Sequence, residues 1–402
     1  MDSSSSVMMK TTSLSFTILI LSLISVLRIA SGCYTSIFAF GDSLTDTGNY
    51  VNMFSQIFPE KQKLPRYAFL PYGETYFHHP TGRASDGRII IDFIAEYYGL
   101  PLVPTYYSVM NNQSGSKFQA GVNFAVVGAP ALDVAFYEER GIHYTTSNIS
   151  MRTQLSWFKE LLPSLCNSSS CPQIFKSSLI VFGPFGGNDY GHAFFQGRSL
   201  EEANALVPLV IHAIGSAVDE LIELGVKNIM VPGLLTDGCI PITLTKYEAS
   251  NIKDYDPATG CLNWLNNFSK NHNERLKAEL NRIREKHPHA VIMYANYFDA
   301  VMRIYRSPRQ YGFRGRPLMA CCGAGGPPYN YNFTAVCGDP STTVCAQPSL
   351  YISWDGAHCT EATYRIIAKG LLEGPYTTPP INTSCTFITK DSGYALAMTS
   401  TE

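Results

Sequence analysis

Acyl transfer needs a nucleophilic hydroxyl, a base to take its proton and a carboxylate to steady that base, and this 402-residue chain carries one such set at Ser43, His358 and Asp355. Ser43 follows Ile37-Phe38-Ala39-Phe40-Gly41-Asp42, so an apolar run meets a glycine and then a serine among polar residues. A serine hydroxyl is a poor nucleophile at neutral pH until a neighbouring base removes its proton. Of the 9 histidines, His358 stands out because Trp354-Asp355-Gly356-Ala357-His358 puts a carboxylate three residues before it on a turn. Asp355 can then accept a hydrogen bond from the imidazole and fix its tautomer. Donors for a developing oxyanion are expected from the N–H groups of Ser43 and Gly128 and the side-chain amide of Asn188.

Each of these residues has a plainer reading when taken alone. Ser43 or Asp42 can cap a helix beginning at Leu44. The Asp355 to His358 segment can be a capped turn before the last helix, and Gly186-Gly187-Asn188 an ordinary turn. What joins them is the pattern of elements. Ile37–Phe40, Phe124–Val127, Leu179–Phe182, Ile229–Val231 and Ala290–Tyr294 are short apolar runs suited to strands buried on both faces. Between them lie helical periodicities over 89–98, 149–165, 206–221 and 261–286, with a last helix over 361–372 capped by Thr360. Alternation of this kind predicts one parallel sheet with helices on both faces. Ser43, Gly128 and Asn188 each follow a predicted strand, which gathers them at the carboxyl edge where open α/β sheets bind ligands.

The bulk properties exclude several classes. A net charge of -2 and a pI near 6.5 give no electrostatic footprint for nucleic acid, so no nucleic-acid partner is expected. Lys10, the apolar core from Phe16 to Leu27 and the small residues Ala30 and Gly32 read as a secretory signal over 1–32. No later segment reads as a membrane span, so no anchor is expected in the mature chain. Residues 33–385 are expected to form one domain and 386–402 a tail. Sequons at Asn112, Asn148, Asn167, Asn267, Asn332 and Asn382 fit an exported glycoprotein. In an oxidising compartment the 11 cysteines default to disulfides, with Cys166–Cys171 and Cys239–Cys261 as short-range pairs and an odd thiol left over. Cys321, Cys322, Cys337 and Cys345 lack paired C-x2-C spacing, so no metal site is expected. The region from Arg306 to Tyr351, rich in Gly, Pro, Cys and Tyr, reads as a stapled loop excursion. There is no G-x-S-x-G elbow and no phosphate-binding G-x-x-x-x-G-K.

Gly41-Asp42-Ser43-Leu44-Thr45-Asp46-Thr47-Gly48-Asn49, Asn123 to Ala129, Gly186-Gly187-Asn188-Asp189 and Asp355-Gly356-Ala357-His358 resemble, in order, the four blocks of the GDSL esterase/lipase (SGNH hydrolase) family. The resemblance runs from Cys33 to about Pro380. Pro80 to Arg88 and Cys321 to Tyr331 are similar to the plant subgroup that includes acetylajmalan and sinapine esterases. It departs at Pro184-Phe185, at Thr236-Asp237-Gly238-Cys239 where the subgroup has Pro-Ile-Gly-Cys, and at Cys359, usually a bulky apolar residue. The resemblance implies a flavodoxin-like α/β/α sandwich, no cofactor, Ser43 as nucleophile, Asp355 and His358 completing the triad, and Gly128 and Asn188 in the oxyanion hole.

The expected function is therefore a secreted or extracellular (alternatively vacuolar) serine esterase acting on a small-molecule ester. Two rivals share parts of this reading. An acyltransferase would use the same triad with an alcohol acceptor, and a glycoprotein would bind esters or glycans without turnover. The aromatic loop from Tyr67 to Phe77 fits aromatic or other apolar esters, although loop aromatics are more often packing residues. Nothing in the sequence sets the oligomeric state.

Overall fold

A computed structural model describes residues 33–57, 64–111, 120–166, 170–248 and 251–381. The signal segment, the tail and the sequons at Asn112, Asn167 and Asn382 lie outside the described residues. The central sheet has five strands: β1 (Ser36–Phe40), β2 (Ser178–Phe182), β3 (Asn228–Pro232), β4 (Val291–Ala295) and β5 (Thr377–Thr378), in that spatial order. The first four are parallel, with Phe38 opposite Ile180, Ile180 opposite Ile229 and Ile229 opposite Ile292. β5 is a short antiparallel edge, so the sheet is mixed rather than wholly parallel.

Successive side chains on a strand point to opposite faces, and here both faces are covered. Phe38, Phe40, Ile180, Phe182, Ile229, Val231 and Ile292 join one core with residues of the helices Met151–Leu165, Leu200–Glu223 and Asn263–Lys286. Ile37, Ala39, Leu179, Val181, Met230 and Met293 join the other with the helices Ile90–Tyr97, Tyr297–Arg306 and Glu361–Glu373. This is the three-layer α/β/α sandwich, and it explains why the strand sequences are uniformly apolar. Leu200–Glu223 is by length and composition able to cross a membrane, contrary to the sequence reading, but Leu206, Val210, Ile214, Val218 and Leu221 are buried in the core.

Two expected elements differ. Phe124 to Val127 is not a regular strand. The segment runs beside β1, with Phe124 N–H donating to Ala39 O (2.7 Å) and Val126 N–H to Gly41 O (3.1 Å), but only Asn123 forms a β-bridge. The Asn123 side chain diverts the chain by donating to Thr45 O and accepting from Ala125 N–H. The helix expected from Leu44 begins instead at Asn49 and runs to Ile57. Residues 42–46 form a tight turn closed by Thr45 and Asp46 N–H on Asp42 O, and the Asp46 carboxylate holds the N–H groups of Gly48, Asn49 and Tyr50. Ser43 is therefore not a helix cap.

The excursion expected between Arg306 and Tyr351 is stapled by Cys321–Cys345 and Cys322–Cys337, which commits all four of those thiols to disulfides. Cys166–Cys171 and Cys239–Cys261 pair as the spacing suggests. The free thiol among the described residues is the buried Cys359.

Candidate active site

Three turns at the carboxyl edge of the sheet build the site. At the end of β1, Gly41 takes φ +144°, and a Cβ there would stand 2.5 Å from Gly183 O, so only glycine lets the two strand ends approach. Gln154 clamps this glycine from the Met151–Leu165 helix, its amide accepting from Gly41 N–H (2.9 Å) and donating to Gly41 O (2.8 Å). The turn that follows lifts Ser43 out of the sheet. Beyond β2, Gly186 precedes the helix Gly187–Phe195, whose second residue is Asn188.

The imidazole of His358 reaches Ser43 across 315 residues: Nε2 lies 2.8 Å from Oγ. On its other side Nδ1 lies 3.0 and 2.9 Å from the two Asp355 carboxylate oxygens. Asp355 Oδ1 also accepts from the N–H groups of Ala357 (3.1 Å) and His358 (2.9 Å), and Oδ2 from the Tyr72 hydroxyl (2.8 Å). Burial opposes the Asp355 charge, but the imidazole, the nearby Arg66 guanidinium and these donors outweigh it and hold the carboxyl well below the usual carboxylate range. The Tyr67 ring stands edge-on to His358 at 6.0 Å.

The oxyanion donors expected from sequence line the same cleft. This cavity of about 300 Å³ is walled by Ser43, Gly128, Asn188 and His358 together with Arg66, Thr146, His192, Asp237 and Tyr331. Among the described residues the N–H groups of Ser43 and Gly128 have no protein acceptor. Gly128 takes φ +78°, and a Cβ there would fall 2.5 Å from Thr146 Oγ1. Asn188 Nδ2 donates to Asp42 Oδ2 (3.1 Å) and, more weakly, to Ala129 O (3.4 Å). An oxyanion can claim the second of these protons, the one in the longer contact.

A set of carboxylates that the sequence reading left without roles ties the blocks together. Asp46 accepts from Val127 N–H (3.0 Å) as well as from the start of the first helix, and Asn49 donates to Asn123 O and Ala125 O. Asp189 accepts from the N–H groups of Ala131 and Leu132 and from the Tyr137 hydroxyl, so the loop carrying Gly128 is bonded to the helix carrying Asn188. Burial pushes Asp42 up to about 7 and Asp46 up to about 6, against the pull of backbone N–H groups. These side chains sit inside the quoted motifs, which was the available signal. Gln154 and Arg66 lie outside the motifs and carried none, while Tyr72 lies in the aromatic loop noted for substrate contact and instead donates to Asp355.

A second depression of about 700 Å³, lined by Tyr255, Arg316, Leu318 and Tyr329, contains none of these groups. The four cysteines weighed as zinc ligands are all oxidised, and no group of three or more metal-binding side chains occurs among the described residues.

A nucleophile, base and acid in contact, beside unpaired N–H donors in a cleft, form an arrangement suited to acyl transfer. The GDSL-like Lipase/Acylhydrolase family model matches residues 37–371. A GDSL esterase/lipase of Arabidopsis thaliana is 50% identical over 353 residues, covering 88% of each chain, and another is 51% identical over 353 residues with the same coverage. Sinapine esterase of Brassica napus is 50% identical over 354 residues, again 88% of each. With its fold, its cleft and these relatives in agreement, the chain belongs to the GDSL esterase/lipase family, whose chemistry is carboxylic ester hydrolysis.

Proposed function

We propose that this protein is a secreted, glycosylated serine esterase that hydrolyses small-molecule carboxylic esters through an acyl-enzyme on Ser43. The observation that carries this reading is the 2.8 Å contact between Ser43 Oγ and His358 Nε2, with Nδ1 held by Asp355. His358 Nε2 takes the hydroxyl proton as Oγ attacks the ester carbon. The carbonyl electron pair moves onto oxygen, where the Ser43 and Gly128 N–H groups and the Asn188 amide receive it; one such donor is worth about 3 kcal/mol in the transition state. The imidazolium then protonates the departing alkoxide. Water repeats the sequence on the acyl-enzyme, giving its proton to Nε2, and the acid leaves with Ser43 restored.

Export is supported by the disulfides Cys166–Cys171, Cys239–Cys261, Cys321–Cys345 and Cys322–Cys337 and by the exposure of Asn148, Asn267 and Asn332. The relationship to a sinapine esterase makes sinapine one of the first esters to test, beside acetates, fatty-acyl and hydroxycinnamoyl esters. Ser43→Ala is expected to abolish hydrolysis while leaving the fold intact, and a fluorophosphonate is expected to label Ser43 in the unaltered protein. Hydrolysis by Ser43→Ala at the original rate refutes the mechanism. Adding an alcohol acceptor and measuring transferred product against free acid separates hydrolysis from acyl transfer.

A further inference from the structure

Asp237 lines the cleft but has no part in the steps above. Its loop is rigid. Cys239 is bonded to Cys261, Gly238 N–H donates to Asn266 Oδ1 (3.0 Å), and Leu262 N–H donates to Gly238 O (2.8 Å), which pins the turn to the Asn263–Lys286 helix. The carboxylate it presents is poorly served. Ser269 Oγ lies 3.0 Å from Asp237 Oδ2 but also 3.2 Å from Leu265 O, and one hydroxyl proton cannot satisfy both. Among the described residues no protein donor reaches Asp237 Oδ1, and the side chain is half-buried, so this oxygen is open to what enters the cleft. Burial pushes this carboxyl up to about 6, while the side chain keeps an open face on the cleft it lines.

Asp237 also lines an adjacent recess of about 70 Å³ between Tyr190, Phe194, Phe195, Ile240, Tyr247 and Leu265. Gly187, Gly191, Phe195, Asp237 and Ile240 border both spaces, so the recess lies against the cleft that holds Ser43. The recess has room for a group of a few heavy atoms.

We propose that Asp237 is a specificity-determining residue, its carboxylate accepting from a hydroxyl or ammonium group on the part of the ester that enters this recess. The inference rests on the Ser43 esterase reading and adds a substrate class to it: small esters with a donor beside an apolar group. A polar site of this kind rejects the analogue that lacks the donor, because the carboxylate is then left without its partner.

The test is kcat/KM on matched esters: butyrate against 3-hydroxybutyrate on the acyl side, and ethyl against 2-hydroxyethyl and butyl against 3-aminopropyl, whose primary ammonium carries N–H donors, on the alcohol side. The unaltered protein is expected to favour at least one donor-bearing ester by about tenfold or more. Asp237→Leu is expected to bring that ratio close to one, by lowering kcat/KM for the donor-bearing ester and raising it for the donor-free ester, which no longer leaves a carboxylate unpaired. Asp237→Asn, nearly isosteric, separates the two donor sources: it lowers a hydroxyl preference severalfold and removes an ammonium preference. It also serves as the test if the leucine variant does not fold. Ratios near one in the unaltered protein, or ratios unchanged in either variant, overturn the proposal. If no ester turns over and Ser43 is not labelled by a fluorophosphonate, the Ser43 mechanism itself has failed. Turnover and labelling with flat ratios refute the role of Asp237 alone.

Discussion

Replacing Asp355 by asparagine perturbs this site through a proton, and the neighbours of the carboxylate say where that proton goes. Oδ1 faces two backbone N–H groups, Ala357 and His358, which cannot turn away. Oδ2 faces the Tyr72 hydroxyl, which can rotate, and His358 Nδ1. The amide NH2 therefore takes the Oδ2 side, where it meets Nδ1 at the nearer of the two contacts (2.9 against 3.0 Å to Oδ1, which already accepts two backbone N–H groups), and its hydrogen displaces the one on Nδ1. The imidazole then carries its proton on Nε2 and points an N–H at Ser43 Oγ across the 2.8 Å contact, where it cannot act as a base. A wrong tautomer in an intact triad costs roughly 10⁴ in kcat, which is about 5.5 kcal/mol at 1.36 per decade. Because the loss falls on the transition state, KM should change little. Steady-state kinetics on any hydrolysed ester, with circular dichroism to verify folding, measures both quantities. A folded Asp355→Asn enzyme within tenfold of the original kcat refutes the tautomer argument.

Two other expectations concern the supports of the site. The carboxyl of Asp42 is raised from 3.8 to about 7 by burial, so the folded protein keeps a proton that the unfolded chain loses. Its contribution to stability is complete below about pH 4 and is lost as pH rises toward 7, so the melting temperature of Asp42→Asn relative to the unaltered protein should climb over that window; a difference independent of pH in calorimetry counts against this. Gly128→Ala forces a Cβ to within 2.5 Å of Thr146 Oγ1 at a positive φ; we expect a loss of about 1–2 kcal/mol in denaturant unfolding together with a fall in kcat of tenfold or more, and unchanged kcat shows that this N–H does not hold the oxyanion.

Much of this molecule was legible because local sequence and global fold impose the same pattern. Buried strands flanked by helices must be apolar on both faces, so β1 to β4 could be read from residue type alone, and Thr360 does cap the last helix by accepting from Thr363 N–H. The errors fall where a side chain overrides the local preference. Asn123 turns an apolar run into an irregular edge, and Asp46 delays a helix by five residues from the position suggested by Leu44. β5, two residues long, carries no periodicity to detect.

The sequence by itself determined which residue types stand at strand ends, the short-range disulfides Cys166–Cys171 and Cys239–Cys261, and the order of the motifs. Tertiary structure alone decided that Ser43 and His358 touch, that Tyr72 and Gln154 secure the carboxylate and the nucleophile turn, and that Asp237 opens onto a recess beside them. The physical reason is range. Strand apolarity and capping act within a few residues and leave a periodic trace, whereas a hydrogen bond spanning 315 positions depends on how every intervening layer packs.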